Sequence, residues 1–159
     1  MAEFSELPLW PRLQMMAYRW RRAEPAWTTP AVPLREARVG VVTTAGLYRP
    51  GIDEPFRRIP GGDYGFRILP AEADLDTLVV GQTSDAFDRG PVEADRNAVL
   101  PLDRLRTLAS RGEIGSVAPR HVSFNGSISA PGRLVRTSAP EAAGVFADDG
   151  VDIALLVPV

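Results

Sequence analysis

Residues 97–127 read NAVLPLDRLRTLASRGEIGSVAPRHVSFNGS, and their reading decides the fold. The first half predicts a helix with both ends written in. Pro101 suits the first helical position, where its missing N–H costs nothing. Asp103 in the first turn and Arg111 in the last complement the helix dipole. Leu102, Leu105, Leu108 and Ala109 recur at helical spacing and make one apolar stripe. Gly112 then predicts a left-handed stop. The second half predicts a strand from Gly115 to Phe124, broken by Pro119, and it brings His121, the single histidine of the chain, together with Arg120, Ser123 and Asn125.

Working outward, residues 38–46 (RVGVVTTAG) read as a buried β-strand that leaves through the small residues Thr43, Thr44, Ala45 and Gly46. Small residues after a parallel strand leave room for backbone N–H groups to approach a ligand. No GxGxxG or GxxxxGK follows, so a nucleotide site has little support. Residues 47–74 carry turn signals at Pro50-Gly51 and Pro60-Gly61-Gly62-Asp63, yet Phe56, Ile59, Tyr64, Phe66 and Ile68 are too apolar for a disordered linker. They predict an ordered excursion over the sheet, with a short hairpin around GFRIL. Leu75–Val80 (LDTLVV) predicts a second short strand, opening into a polar, acidic and solvated loop. Residues 126–138 have turn composition, and residues 139–149 (APEAAGVFADD) predict a short helix started by Pro140. The apolar run VDIALLVPV reads as a buried parallel strand.

Before the first strand, Leu9, Leu13, Met16 and Trp20 make a helical stripe, closed by Arg19, Arg21 and Arg22. Such a helix packs on its own domain or, being rich in Trp and Met, docks on a partner. Pro25, Pro30 and Pro33 then make a stiff connector. The chain thus divides into an N-terminal helix and connector, residues 1–36, and an α/β domain, residues 37–159. Strands alternating with helices predict a mostly parallel, Rossmann-like sheet with flanking helices. The domain reads as incomplete, because its last strand stops on the edge where α/β proteins build their sites.

Composition narrows the function classes. The 159 residues, 45 % hydrophobic and 24 % charged, suit one soluble domain. A net charge of −2 gives no case for nucleic acid as a partner. Every basic residue is arginine, which reads as genome base composition. No cysteine is present, so this polypeptide makes neither a disulfide nor a thiolate metal site, and one histidine excludes a multi-histidine site, so no metal is expected. No apolar run approaches the ~18 residues of a spanning helix, and the N-terminus is acidic where a signal peptide is basic. The expectation is a cytoplasmic protein without a membrane partner.

Three segments carry a resemblance. RVGVVTTAGLY (38–48), NAVLPLDRLRTLASRGEIGSVAPRHVSF (97–124) and DDGVDIALLVPV (148–159) resemble, in order, the selenoprotein B family. These are the B components of glycine, sarcosine and betaine reductases and the related D-proline reductase, with short cysteine-type bacterial relatives. The resemblance implies an oxidoreductase component acting on a small amine or amino acid, with a disulfide as final acceptor. It implies a pyruvoyl group on a separate subunit, which holds the substrate amine, and a selenocysteine or cysteine that attacks the α-carbon. That nucleophile is expected directly after the strand matching VDIALLVPV, so none of the present residues inherits its role. No cofactor is therefore expected within this chain, and the isolated chain is expected to be inactive. An in-frame UGA codon after Val159 is one expectation; a split gene is another.

The remaining candidates follow. His121 reads either as a structural histidine bonded at a strand end or as a proton donor to a leaving amine. Arg120 reads either as a bidentate partner of a substrate carboxylate or as a helix-end ion pair. Both are expected to face the edge where the last strand ends. Thr43, Thr44 and Ser123 are the expected substrate-binding residues. In the polar loop, relatives carry histidines where this chain has Ser84 and Ala86. A silent scaffold for a protein partner, or a homo-oligomer, is the alternative function. A hydrolase using Asp85, Asp88 and His121 has too unspecific a spacing to be favoured.

Overall fold

The computed structural model describes Leu9, Leu13 and residues 28–159 except Ala86. Leu9 and Leu13 are helical and exposed; the rest of the expected N-terminal helix lies outside the described residues. The strands are β1 (Arg38–Thr43), β2 (Leu47–Tyr48), β3 (Phe66–Pro70), β4 (Val79–Val80), β5 (Ser116–Val117), β6 (Arg120–Phe124) and β7 (Ile153–Val157). The α-helices are α1 (Gly90–Ala94), α2 (Leu102–Ser110) and α3 (Ala139–Asp148). Short 3-10 turns occur at Leu34–Glu36, Leu75–Thr77 and Arg96–Ala98.

The main sheet is built on β1. Along one side β1 pairs in parallel first with β5 and then with β6, and along the other it pairs in parallel with β7. β3 adds an antiparallel edge to β6, with Phe66 opposite Phe124 and Pro70 opposite Arg120. The expected α/β class with a mostly parallel sheet is therefore what the chain adopts. The break at Pro119 separates β5 from β6 as the sequence implies, because proline cannot donate to the ladder.

Both faces of the sheet are covered. On one face Val39, Val41 and Leu69 join Leu47, Leu78, Leu100, Leu102 and Leu105 in the larger core. On the other, Val122 and Phe124 pack on Ala142 and Phe146 of α3. Gly40 lets α3 approach: a Cβ there would lie 3.0 Å from the Phe146 ring. α2 forms as its sequence predicts, with Leu102 and Leu105 buried. Asn97 closes its start by accepting from the Asp103 N–H (3.1 Å). Gly112 (φ +71) ends it, with Gly112 N–H donating to Ala109 O and Glu113 N–H to Leu108 O, the paired bonds of a Schellman stop.

Four expectations are corrected. FRILP forms no local hairpin; it pairs with β6, where its alternate residues meet the core. The Leu75–Val80 segment is a 3-10 turn plus β4, and β4 pairs with β2 in a separate two-stranded sheet. The segment before α3 is not all turn, since Leu134–Ser138 form a π-helical stretch that runs into the helix. β7 is parallel as expected but not buried: Leu155 and Leu156 are 38 % and 67 % exposed, because β7 is an edge strand with nothing among the described residues beyond it. No described helix is long and apolar enough to cross a membrane.

Candidate functional site

The carboxyl ends of β6, β1 and β7 meet three loops, and glycine makes the meeting possible. Gly46 (φ +67) donates its N–H to Phe124 O (2.8 Å) and accepts from Gly81 N–H (2.9 Å). A Cβ on Gly46 would fall 2.9 Å from Gln82 N and 3.0 Å from Asn125 Oδ1, so a side chain there would drive the loops apart.

Two buried amides lock the junction. Gln82 Nε2 donates to Thr44 O (2.9 Å) and to Asn125 O, and its Oε1 accepts from Ser84 N–H (2.9 Å). Asn125 Oδ1 accepts from Thr83 N–H (3.2 Å) while Nδ2 donates to Thr83 Oγ1 (2.7 Å). Thr44 Oγ1 accepts from Val159 N–H (2.9 Å) and donates to Val159 O (3.3 Å), which ties the end of the β7 segment to the same junction. A cleft of about 260 Å³ opens here, lined by Gln82, Ser84, Phe87, Ser127 and Val159. Ser127 (φ 51) is the one non-glycine residue with positive φ among the described residues, and backbone strain of this kind gathers at functional sites. The lining offers hydroxyl, amide and main-chain groups, suited to holding a small polar ligand rather than to moving protons.

Thr43, Ser123 and His121 lie beneath this junction on the larger-core face. Thr43 is opposite Ser123 in the β1–β6 register. All three are fully buried. Thr43 Oγ1 accepts from Ala45 N–H (3.2 Å), shaping the strand exit. Ser123 Oγ meets no partner among the described residues. His121 Nδ1 accepts from Val41 N–H (3.1 Å), in the part of the ladder that the break before β6 interrupts. With Nδ1 accepting, the neutral ring carries its proton on Nε2, which is also unpartnered. Burial, reinforced by the positive charge of Arg106, pushes this imidazole down to about 4, so it is neutral at pH 7.

Arg120 is placed elsewhere. It begins β6, at the opposite end of the strand from Phe124, a run of about 13 Å. Its Nε donates to Asp149 Oδ2 (2.9 Å), its Nη2 to Asp149 Oδ1 (2.7 Å), and Nη2 also reaches Val145 O (3.4 Å). The guanidinium thus closes the C-terminal end of α3, and it holds the Asp149 carboxyl below the usual range chiefly through these hydrogen bonds. Arg120 and His121 point to opposite faces of the sheet, so the expectation that both face the edge where β7 ends is corrected: strand alternation separates neighbours.

The polar loop does not close on His121. Asp85 is exposed and pairs with Arg58, and Asp88 accepts from Gly90 N–H (3.0 Å) at the start of α1. Ala86 lies outside the described residues. Among the described residues no group of three or more His, Asp or Glu side chains is arranged to hold a metal ion. Sequence reasoning passed over Gln82, Thr83 and Gly126. Their signal was present: polar residues placed directly after two apolar strands, in VVGQT and SFNGS, stand where strand ends build sites.

Comparison with known proteins adds a relative. The chain is 32 % identical over 152 residues to D-proline reductase subunit gamma from Acetoanaerobium sticklandii, covering 96 % of this chain and 61 % of the relative. No family model and no solved structure matches the chain. The chain spans less than two thirds of that relative's length.

Proposed function

We propose that the chain is the thiol-free part of a proline/glycine reductase-type oxidoreductase, a scaffold against which a soft nucleophile supplied from outside these residues cleaves a C–N bond. The observation that carries the reading is the 32 % identity maintained over 96 % of the chain. In this chemistry a thiolate or selenolate pair forms a bond to the α-carbon as the C–N bond breaks. The amine leaves with that bonding pair and takes up a proton; a second thiolate then attacks the sulfur or selenium, the α-carbon leaves with the C–S or C–Se pair and takes up a proton, and a dithiol finally ends as a disulfide. The chain has no cysteine, so on this reading the nucleophile belongs to other sequence; the pyruvoyl group is assigned to a separate subunit by the resemblance.

On this reading Thr44, Gln82 and Asn125 form the fixed wall of the site. Thr43, Ser123 and His121 act beneath it as positioning residues, and Arg120 acts through Asp149 to seat α3. A neutral His121 with a free Nε2–H is a hydrogen-bond donor at pH 7 rather than a base. The substrate is a small amine or amino acid and the partner is a redox-bearing polypeptide. The exposed Leu155 and Leu156 of β7 favour the second reading, a binding subunit without a catalytic part of its own.

Deletion of the gene in its native host tests the first reading. Dithiol-dependent cleavage of D-proline, glycine, sarcosine or betaine in the extract is expected to fall and to return on complementation. Unchanged cleavage of all four substrates contradicts it. Return of activity with a chain whose junction is disrupted by Asn125→Ala and Gln82→Ala favours the binding-subunit reading.

A further inference from the structure

A second cleft, of about 750 Å³, lies at the same end of the sheet but on the α3 side. One wall is the turn before β3, the other the segment between β6 and the π-helical stretch. The two walls are fastened together. Ala130 N–H donates to Gly61 O (3.0 Å). Gly61 (φ +86) and Gly62 (φ +92) approach the other wall so closely that a Cβ would lie 2.9 Å from Ala130 Cβ and 2.8 Å from Ile128 Cα respectively. The cleft is therefore part of the fold's fixed geometry.

Its charge is unlike the rest of the molecule. The chain carries a net −2, yet no acid lines this cleft, while Arg133 and Arg136 do. Elsewhere the described arginines are largely spent on carboxylates, as with Arg49, Arg106 and Arg120, or on main-chain carbonyls, as with Arg89 and Arg96. Among the described residues Arg133 has a neutral partner and no carboxylate: its Nη1 donates to Tyr64 Oη (2.9 Å), with the guanidinium 5.2 Å from the Tyr64 ring centre. Arg136 rests over Gly132 without a carboxylate partner among the described residues. Ile59 and Val135 supply exposed apolar surface beside the two cations.

We infer that this cleft binds the oxyanion of a small ligand, carboxylate or phosphate, between Arg133 and Arg136, with the ligand's apolar body against Ile59 and Val135. Planar guanidinium groups match both oxyanions by paired N–H···O bonds. The apolar flank selects an organic anion over a bare inorganic one. The inference goes beyond the reductase reading and does not rest on it, since its test reads binding alone.

The test is calorimetric titration of the full chain at low salt, in separate arms with benzoate and with inorganic phosphate. Saturable binding is expected, tighter for benzoate than for inorganic phosphate; tighter binding of phosphate contradicts the role given to Ile59 and Val135. Arg136→Ala and Arg133→Ala are each expected to weaken it by about tenfold, the loss of one charge-assisted contact. Arg111→Ala, exposed and remote on α2's end, is expected to leave it unchanged. Thermal unfolding of each variant confirms that the fold persists, as it should for exposed side chains. Absence of saturation in both arms overturns the inference. Equal affinity in the Arg133→Ala/Arg136→Ala double variant overturns it as well.

Discussion

His121 makes the stability of this protein sensitive to mild acid, and it is the only histidine, so the effect has one source. The perturbation is a shift from about pH 7.5 to about pH 5. In the unfolded chain the imidazole has the ordinary value of about 6.5. In the folded chain burial pushes it down to about 4. The unfolded state therefore takes up a proton over this range while the folded state does not, and stability falls as pH falls through the unfolded value. Stability from keeping the ring neutral is fully present above about pH 6.5 and is lost progressively down to about pH 4. At about 1.4 kcal/mol per unit, the loss by pH 5 is about 2 kcal/mol. The assay is urea unfolding at pH steps across this range, beside ring titration by NMR. His121→Leu supplies the control. It leaves the Val41 N–H without its acceptor and is expected to cost about 1–3 kcal/mol at pH 7.5. It is also expected to flatten the pH dependence between 7.5 and 5. The carboxylates held below their usual range, such as Asp53 and Asp149, change protonation only at lower pH and leave this window clear. A wild-type profile that is flat over the window, or a folded ring that titrates near its ordinary value, would refute the reasoning.

Gly115 of the GEIGS run is required by packing. A Cβ there would lie 2.3 Å from the main-chain oxygen of Glu36, so Gly115→Ala is expected to cost more than about 2 kcal/mol in urea unfolding, or to prevent soluble expression. Asn125→Ala removes both bonds to Thr83 and is expected to cost about 1–3 kcal/mol, with faster amide exchange at Thr83 and Ser84 than elsewhere in the chain. Asp149→Asn separates α3 from Arg120; it is expected to lower the urea midpoint at neutral pH. The difference from wild type should shrink as the pH falls below about 4, the ordinary carboxyl value, where the unfolded chain takes up a proton that the folded carboxylate, held lower by Arg120, does not.

What the sequence disclosed follows from how local each signal is. The Leu102–Ser110 helix is written in its own residues, and Gly112 closes it as left-handed glycine should. The break at Pro119 is equally local. The exposure of β7 is not: an apolar run states that a strand is apolar, not which of its faces the rest of the chain reaches. The pairing of FRILP with β6 joins residues more than fifty positions apart, beyond any turn signal. Arg120 shows the same limit, since both its readings fit the sequence and Asp149, which it binds, lies 29 residues away. For the site, Thr43, Thr44 and Ser123 were expected to bind substrate; the fold places Thr43 and Ser123 fully buried beneath the strand exit and Thr44 at the junction itself. Asn125 was noted only as a polar neighbour of His121 and Gln82 was passed over, because which main-chain groups a buried amide will meet depends on loops about forty residues apart.

On the proposed function the redox nucleophile lies outside these 159 residues while the chain is required for the reaction. The direct measurement is alkylation of the native assembly, isolated through this chain, followed by a dithiol-dependent cleavage assay and peptide mapping of the label. The expected result is substrate cleavage before treatment, its loss on alkylation, and a label on a cysteine or selenocysteine peptide outside residues 1–159. Cleavage that survives complete alkylation, or an assembly that cleaves none of D-proline, glycine, sarcosine and betaine, would contradict it.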